Sequence, residues 1–483
     1  MKVGYFGSLA FAVMLPGAVM ANSGVSMLGF TGEDVARGYV ERDVDRASSA
    51  SRIHAAGNGS VEVLGFWYRG DSSIMAANRL VAMPSGEIII EGGTLSGLDD
   101  GKGIASFVQA EFSSPSLFER VMTGDSCAPL DVDGSGGQGL GEIEFVDMTL
   151  KSPPSATELV HSSVGQNGPE SINFEEVKIS FEGIDELGCF MMDEFDASGI
   201  SALSADGTRG TAATISVDAH LLPRSDKPFS IEVSVYDLAA HDPSGLKLIE
   251  VDSTNFSLSM DDYIVEGIRK LTQGDVDADI PEIVDMLANG TLDMSYRNAG
   301  IYFPLGDLLS ETQRVRLGAN GDEFISGGHE ISVSLGNDQL SILNDTTLHG
   351  LVYAYLDLDL IITPDTNGSR AVAMTGGHPA GLILPYLQLD DLLFSVEDNG
   401  LWDLIDSGTG SSVEEHLTTF TPMLSKGPSE ISEPVISWIM GVARDGHGGV
   451  TMTPLEPVGF MEIMMGVMMN PGGVGRMLSI EAR

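Results

Sequence analysis

The feature that most constrains this chain is a succession of apolar–polar alternations running from Val61 to Ile362. Successive side chains of a strand point to opposite faces, so each alternating stretch predicts a strand with one buried side. Thr214–Ala219 and Phe229–Tyr236 alternate cleanly, and Val61–Trp67, Ile74–Met83, Glu87–Glu91, Ile104–Phe112 and Phe174–Phe181 belong to the same series. Leu246–Val251 and Phe256–Met260 read as two further strands, and Ile331–Leu335, Leu340–Leu343 and Leu348–Ile362 continue the pattern. Within the last stretch Leu351, Tyr353 and Tyr355 share one face while Leu356, Leu358 and Leu360 share the other, which predicts an intervening bulge. No helix-length run separates the strands before residue 260, so the pattern favours an antiparallel meander over alternating βαβ units. Hydrophobic residues make up 42% of the chain, enough for a sizeable core, and 59 Gly supply turns.

Helical spacing enters at residues 255–309. A strand (Phe256, Leu258, Met260) is followed by the acidic pair Asp261-Asp262, then by a helix carrying Ile264, Val265, Ile268 and Leu271. A second helix, Ile280–Leu287, stops at Asn289-Gly290; a strand (Thr291–Tyr296) and a short helix (Pro304–Leu309) complete the set. Residues 392–469 repeat this plan: strand Leu393–Val396, acidic pair Glu397-Asp398, a helix with Leu401, Trp402, Leu404 and Ile405, a helix at Pro434–Val442, strand Val450–Thr453, and helix Phe460–Met469. Either the two stretches are an internal duplication or short patterns match by chance. The fold class expected is α+β and β-rich, with long curved antiparallel sheets partly covered by short helices. The parts expected are a signal peptide (1–21), a polar N-terminal segment (22–56) with one amphipathic helix at Thr31–Tyr39, an antiparallel β region (57–254), and α+β repeats at 255–391 and 392–483.

Met1–Ala21 has the form of a secretory leader: Lys2, an apolar core over Val3–Leu15, and the small-residue site Val19-Met20-Ala21. The run is short for a membrane span, and no later stretch reaches spanning length. The mature chain is therefore expected to be exported, periplasmic or at the cell surface or beyond, with no transmembrane segment. Seventy Asp and Glu against 25 Lys and Arg give a formal charge of −45. Such a field repels phosphate backbones, so nucleic acid is excluded as a partner. The acidity itself reads either as solubility in salt or as divalent-cation binding.

Cys127 and Cys189 are the only cysteines. In an exported chain the pair reads as a disulfide, with two separate buried thiols as the alternative. Between them lies Asp131-Val132-Asp133-Gly134-Ser135-Gly136, with Glu142 closing a twelve-residue window. Asp131, Asp133, Ser135 and Glu142 stand where an EF-hand loop places oxygen ligands, and Gly134-Ser135-Gly136 brings Gly at the sixth position, so calcium is the one cofactor suggested. Gln138 replaces the β-branched residue usual at the eighth position, and the residues after Glu142 look like strand, so a Gly-rich acidic hairpin explains the same residues.

No catalytic constellation emerges. Nine His are scattered without His-x-x-x-His spacing, and there is no nucleophile elbow or Walker loop. Paired carboxylates are too common here to locate a glycosidase. Met461, Met464, Met465, Met468 and Met469 repeat on one helix face, which reads as core packing, with an adaptable ligand lining or thioether copper site as alternatives.

Phe394-Ser395-Val396-Glu397-Asp398-Asn399-Gly400-Leu401-Trp402 and Gly449-Val450-Thr451-Met452-Thr453-Pro454-Leu455-Glu456-Pro457-Val458, with Asn470-Pro471, carry a resemblance. Residues 393–478 resemble the C-terminal region of uncharacterised exported proteins of alphaproteobacterial type. The resemblance implies an envelope location and a β-rich repeat scaffold, and no activity. Together these readings point to a non-enzymatic envelope protein that binds or passes on a lipid or other hydrophobic ligand, or scaffolds other envelope proteins. The alternatives are a secreted calcium-dependent structural or adhesive protein and, third, a carboxylate hydrolase.

Overall fold

The computed structural model describes residues 48–55, 60–69, 73–97, 103–114, 117–118, 141–151, 169–184, 189–204, 206–220, 228–272, 280–304, 324–349, 351–363, 386–402 and 412–483. The expected leader, the Thr31–Tyr39 helix and the Asp131–Ser135 loop lie outside them. The chain divides into two compact units, residues 1–221 with 233–248, and residues 222–232 with 249–483.

The first unit is an antiparallel meander. Its edge is the pair of short strands β1 (Ser48–Ser49) and β2 (Arg52–Ala55), both bonded to β3 (Val61–Arg69). Then come β4 (Ser73–Ala82), β5 (Ile88–Gly97), β6 (Gly103–Phe112), β7 (Gly141–Lys151), β8 (Pro169–Ile184), β9 (Cys189–Ser204) and β10 (Arg209–His220), each paired to the one before. One face is fully buried at Ile53, Val63, Leu80, Ile88, Ile90, Ala110 and Phe112. Each large side chain there contributes about 1.5–3 kcal/mol relative to exposure. Phe112 meets Phe118 edge-on at 5.2 Å, and Phe107 meets Phe145 at 5.3 Å.

Each of the longer strands, β3 to β10, steps out of simple alternation once. Buried positions run Val63 then Phe66, Ala77 then Leu80, Phe107 then Ala110, Phe174 then Val177, Ala197 then Ile200, and Ala212 then Ile215. Two consecutive residues therefore face outward at one row of the sheet. Because neighbours switch at the same row, pairing resumes in register: Leu64↔Arg79 and Phe66↔Ala77 flank Gly65 and Asn78. Odd-numbered strands make the switch with a left-handed residue: Gly65 (φ 60°), Gly92 (φ 62°), Asp147 (φ 50°) and Gly199 (φ 59°). At Gly92 an added Cβ would displace the exposed Asn78 side chain, and the positive φ is what favours glycine there.

The division between the units falls within β11 (Phe229–His241) and β12 (Lys247–Met260). β12 is one continuous strand and not the two that were expected, because Asp252 and Ser253 form the same outward double step opposite Gly300 (φ 60°) without ending the ladder.

In the second unit β12 pairs with β13 (Leu292–Pro304), followed in order by β14 (Phe324–Gly336), β15 (Gln339–Leu348), β16 (Val352–Ile362) and β17 (Leu387–Asp398). β17 continues to β18 (His447–Met452) and, further along its length, to β19 (Val458–Gly459), while β20 (Ile480–Ala482) closes on β18. β14 and β15 are joined by Asn337-Asp338 with φ 53° and 62°, the signs a type I′ hairpin needs. The bulge expected between Tyr355 and Leu356 is absent: β15 and β16 pair without a shift from Gln339↔Ile361 to Leu348↔Val352. Tyr353 and Tyr355 belong to the polar face, where their hydroxyls donate to Asp345 (3.0 Å) and Asp357 (3.3 Å). The irregularity sits instead at Asp359/Leu360, against β17.

Two helical insertions lie on the apolar face of this sheet. Between β12 and β13 stand α1 (Asp262–Thr272) and α2 (Ile280–Asn289). Ile264, Ile283, Val284 and Leu287 pack with Met260, Leu335 and Ile362. Between β17 and β18 stand α3 (Val413–Leu424) and α4 (Ser429–Asp445). α4 begins five residues before Pro434, which was expected to open it; Pro428 supplies the start by accepting from Ile431 and Ser432. α5 (Phe460–Met469) and α6 (Pro471–Leu478) follow. Phe460 and Ile463 of α5 join the core with Leu360, Leu389 and Val474, while Met465 and Met469 are 47% and 86% exposed. The side chains of Met461, Met464 and Met468 lie outside the described residues. Core packing of the methionine face therefore fails at Met465 and Met469, because Phe460, Ile463 and Gly466 take the inward positions.

Candidate functional site

The register of the second unit assembles a surface that no single stretch of sequence displays. Leu258, Met294, Val333, Ile342, Leu358 and Leu392 stand in one row across β12–β17, all on the face that bears the helices. Six strands at about 4.8 Å spacing make this row roughly 24 Å long. All six side chains are half-buried, unlike the adjacent row, where Met260, Leu335, Leu360 and Leu389 lie buried under α1, α2, α5 and α6. A third row runs Phe256, Tyr296, Ile331, Asn344, Leu356 and Phe394, also half-buried. At its β17 end Trp438 of α4 meets Phe394 at 5.4 Å and donates from Nε1 to the Gly448 carbonyl (3.2 Å).

The fourth row is polar over four strands: Thr254, Asn298, His329 and Thr346. Thr254 Oγ1 donates to Asn298 Oδ1 at 2.7 Å, and Asn298 Nδ2 donates to Tyr296 Oη at 2.7 Å. Thr346 Oγ1 donates to Asn344 Oδ1 at 3.1 Å and lies 2.8 Å from His329 Nδ1. A hydroxyl has one hydrogen, and Thr346 spends it on Asn344, so His329 Nδ1–H is the donor in the second contact and Nε2 is the ring nitrogen left over. Tyr296 stands edge-on to the imidazole at 6.2 Å. Among the described residues no acceptor takes the Tyr296 hydroxyl hydrogen or the Asn344 amide hydrogens, and His329 Nε2 has no hydrogen-bond partner.

Four carboxylates of these strands are on the opposite face. Asp345, Asp357, Asp359 and Asp391 are satisfied there by Tyr353, Tyr355, Ser341 and Thr453. The Tyr353 phenol is held above its usual range by its hydrogen bond to Asp345, and burial pushes Tyr355 up, with the Asp357 charge adding to it. The apolar face and the acidic face are thus separated by the thickness of one sheet.

The residues singled out from sequence lie elsewhere. Glu142 is in β7, where its backbone N–H donates to Ser113 Oγ (2.8 Å) and its carboxylate pairs with Lys178 (3.0 Å), whose ammonium is held above its usual range chiefly by that hydrogen bond. Asp131, Asp133 and Ser135 lie outside the described residues, and so do Cys127 and the Cys189 side chain, and with them the expected disulfide. Cys189 opens β9, its backbone opposite Ile184. No group of three metal-ligating side chains occurs among the described residues. The row through His329 was missed by sequence reading. Its signal was parity: His329 continues Ile331, Val333 and Leu335, and Thr346 and Asn344 continue Ile342 and Leu340, toward one end of each strand.

No helix among the described residues is long and apolar enough to cross a membrane. No protein-family model matches the chain, and no curated protein does.

Proposed function

We propose that the protein is exported to the cell envelope and binds a hydrophobic ligand on the half-buried apolar rows of its second unit, without catalysing a reaction. The observation that carries the reading is the row Leu258–Met294–Val333–Ile342–Leu358–Leu392, apolar over six strands and only half covered. Burying such a row beneath an acyl or isoprenoid chain contributes about 0.8 kcal/mol per methylene. Binding sites of this kind combine a mostly apolar lining with few polar groups, as the row through His329 does here. Export rests on the leader-like Met1–Ala21, and the envelope location on the resemblance of residues 393–478.

The pieces β12–α1–α2–β13 and β17–α3–α4–β18 are two copies of one ancestral insertion in this reading. In both, an Asp at the end of the first strand accepts a backbone N–H from the residues that follow it. Asp261 accepts from Ile264 N–H (3.0 Å), and Asp398 from Trp402 N–H (3.2 Å). In both, the same Asp donates its backbone N–H to the residue just before the returning strand, Thr291 or Gly446.

Native mass spectrometry of the mature protein purified from its own envelope, followed by solvent extraction, tests the reading. An added mass that extracts as lipid is the expected result. A bare mass, with no uptake of a long-chain amphiphile offered at micromolar concentration, overturns it.

A further inference from the structure

Resting on that reading, we infer that the polar row at His329 is a head-group subsite, and that the ligand is an amphiphile with a single anionic oxygen head, of the long-chain carboxylate class. The apolar rows alone would accept any greasy chain, but they end in a set of unspent hydrogen-bonding groups. The Tyr296 hydroxyl and the Asn344 amide each keep a hydrogen that no described acceptor takes, and they stand on either side of Ile331 in the same row. His329 follows two residues along β14, its Nδ1 held by Thr346 so that Nε2 is the nitrogen left over. The spare phenol and amide hydrogens at the end of an apolar surface can take an oxygen acceptor from outside.

Charge complementarity selects an anion. In a chain of net charge −45 these rows are a place without carboxylates: Asp345, Asp357, Asp359 and Asp391 all project from the other face, and the one titratable nitrogen base on the rows is the His329 imidazole. A carboxylate head beside His329 would accept hydrogen bonds from the Tyr296 phenol and the Asn344 amide, and from Nε2 when the ring carries its second proton. Its chain would then lie along Met294, Val333, Ile342 and Leu358. An alcohol of equal chain length makes the apolar contacts and forgoes the charged ones.

The test is calorimetric titration of the full mature chain with palmitate and with palmityl alcohol, repeated on His329→Leu, Tyr296→Phe and Ile342→Lys, each first shown to melt within a few degrees of the parent. The expected result is palmitate binding at least about tenfold tighter than the alcohol, with that preference erased by His329→Leu and reduced by Tyr296→Phe while alcohol affinity stays. Ile342→Lys should weaken both ligands. Equal affinity for acid and alcohol, unchanged by the His329 and Tyr296 substitutions but lost in Ile342→Lys, overturns the head-group subsite and leaves the apolar face standing. Failure of the parent chain to bind either ligand overturns the apolar-face reading itself, and the subsite with it.

Discussion

Asp261 binds Thr291 through both of that residue's donors, the backbone N–H at 2.7 Å and the hydroxyl at 3.1 Å, across thirty residues of chain. Its other carboxylate oxygen caps α1 at Ile264. One side chain thus closes the insertion that covers the end of the apolar face.

Asp261→Ala should therefore destabilise the second unit by about 1–3 kcal/mol, the cost of a lost N-cap together with an orphaned backbone donor. Thr291→Val, which keeps the backbone bond, should cost less than half as much. Urea unfolding of the two variants measures this, and equal effects would show that the clamp to Thr291 carries little.

Gly199 is left-handed (φ 59°), and an added Cβ would fall 2.2 Å from the Glu175 side chain. Gly199→Ala should cost roughly 1–3 kcal/mol. Pairing it with Glu175→Ala should recover part of the loss and not all, because the backbone strain remains. Gly199→Asn should be milder, since Asn tolerates this region as Asp147 does in β7. The midpoint of urea unfolding, at unchanged slope, reports each effect.

Glu111 lies opposite Glu144 in the β6–β7 ladder. Burial raises its pKa above the ordinary 4.5, and a hydrogen bond with Glu87 and the charges of Glu87 and Glu144 raise it further. A raised folded-state value means that the stability gained from the protonated form is fully present below 4.5 and is lost as pH rises through the folded value. Glu111→Gln should accordingly raise the melting temperature at pH 7 and have no such advantage at pH 4. A pH series of thermal melts on both proteins checks the sign; a constant difference across the series would contradict it.

Met469 is 86% exposed, whereas Met75 is 2% and Met260 is 9%. Dilute peroxide should oxidise Met469 well before either of the others, with the fold retained. Peptide mapping by mass spectrometry gives the order directly, and early loss of Met260 would refute the assigned exposure.

Most of the strands and the helices α1, α2, α4 and α5 were legible because each rests on local periodicity, whereas α3 and α6 were not read from the sequence. Phe229–Tyr236 alternates, Ile280–Leu287 has helical spacing, and Asn289-Gly290 stops it, all within short windows. The outward double step was not legible. Residues such as Asp252-Ser253 look like the end of one strand and the start of another, and only the matching step in the partner strand reveals a continuous ladder. The row through His329 was hidden for a related reason: Thr254, Asn298, His329 and Thr346 are spread over more than ninety residues, and only the register of β12–β15 joins them. The helix containing Pro434 was misplaced because a proline normally marks a first turn, and here it sits in the second.

The left-handed residues Gly65, Gly92, Asp147 and Gly199 recur once per hairpin, on β3, β5, β7 and β9, and never on the described strands between them. The smallest module of the meander is therefore a pair of strands, one that carries the twist in the backbone and one that accommodates it. Gain or loss of a single strand would set two carriers, or two accommodating strands, side by side and break the shared row. Such a sheet can lengthen or shorten through evolution only by whole hairpins, so natural variants of this architecture should differ by even numbers of strands.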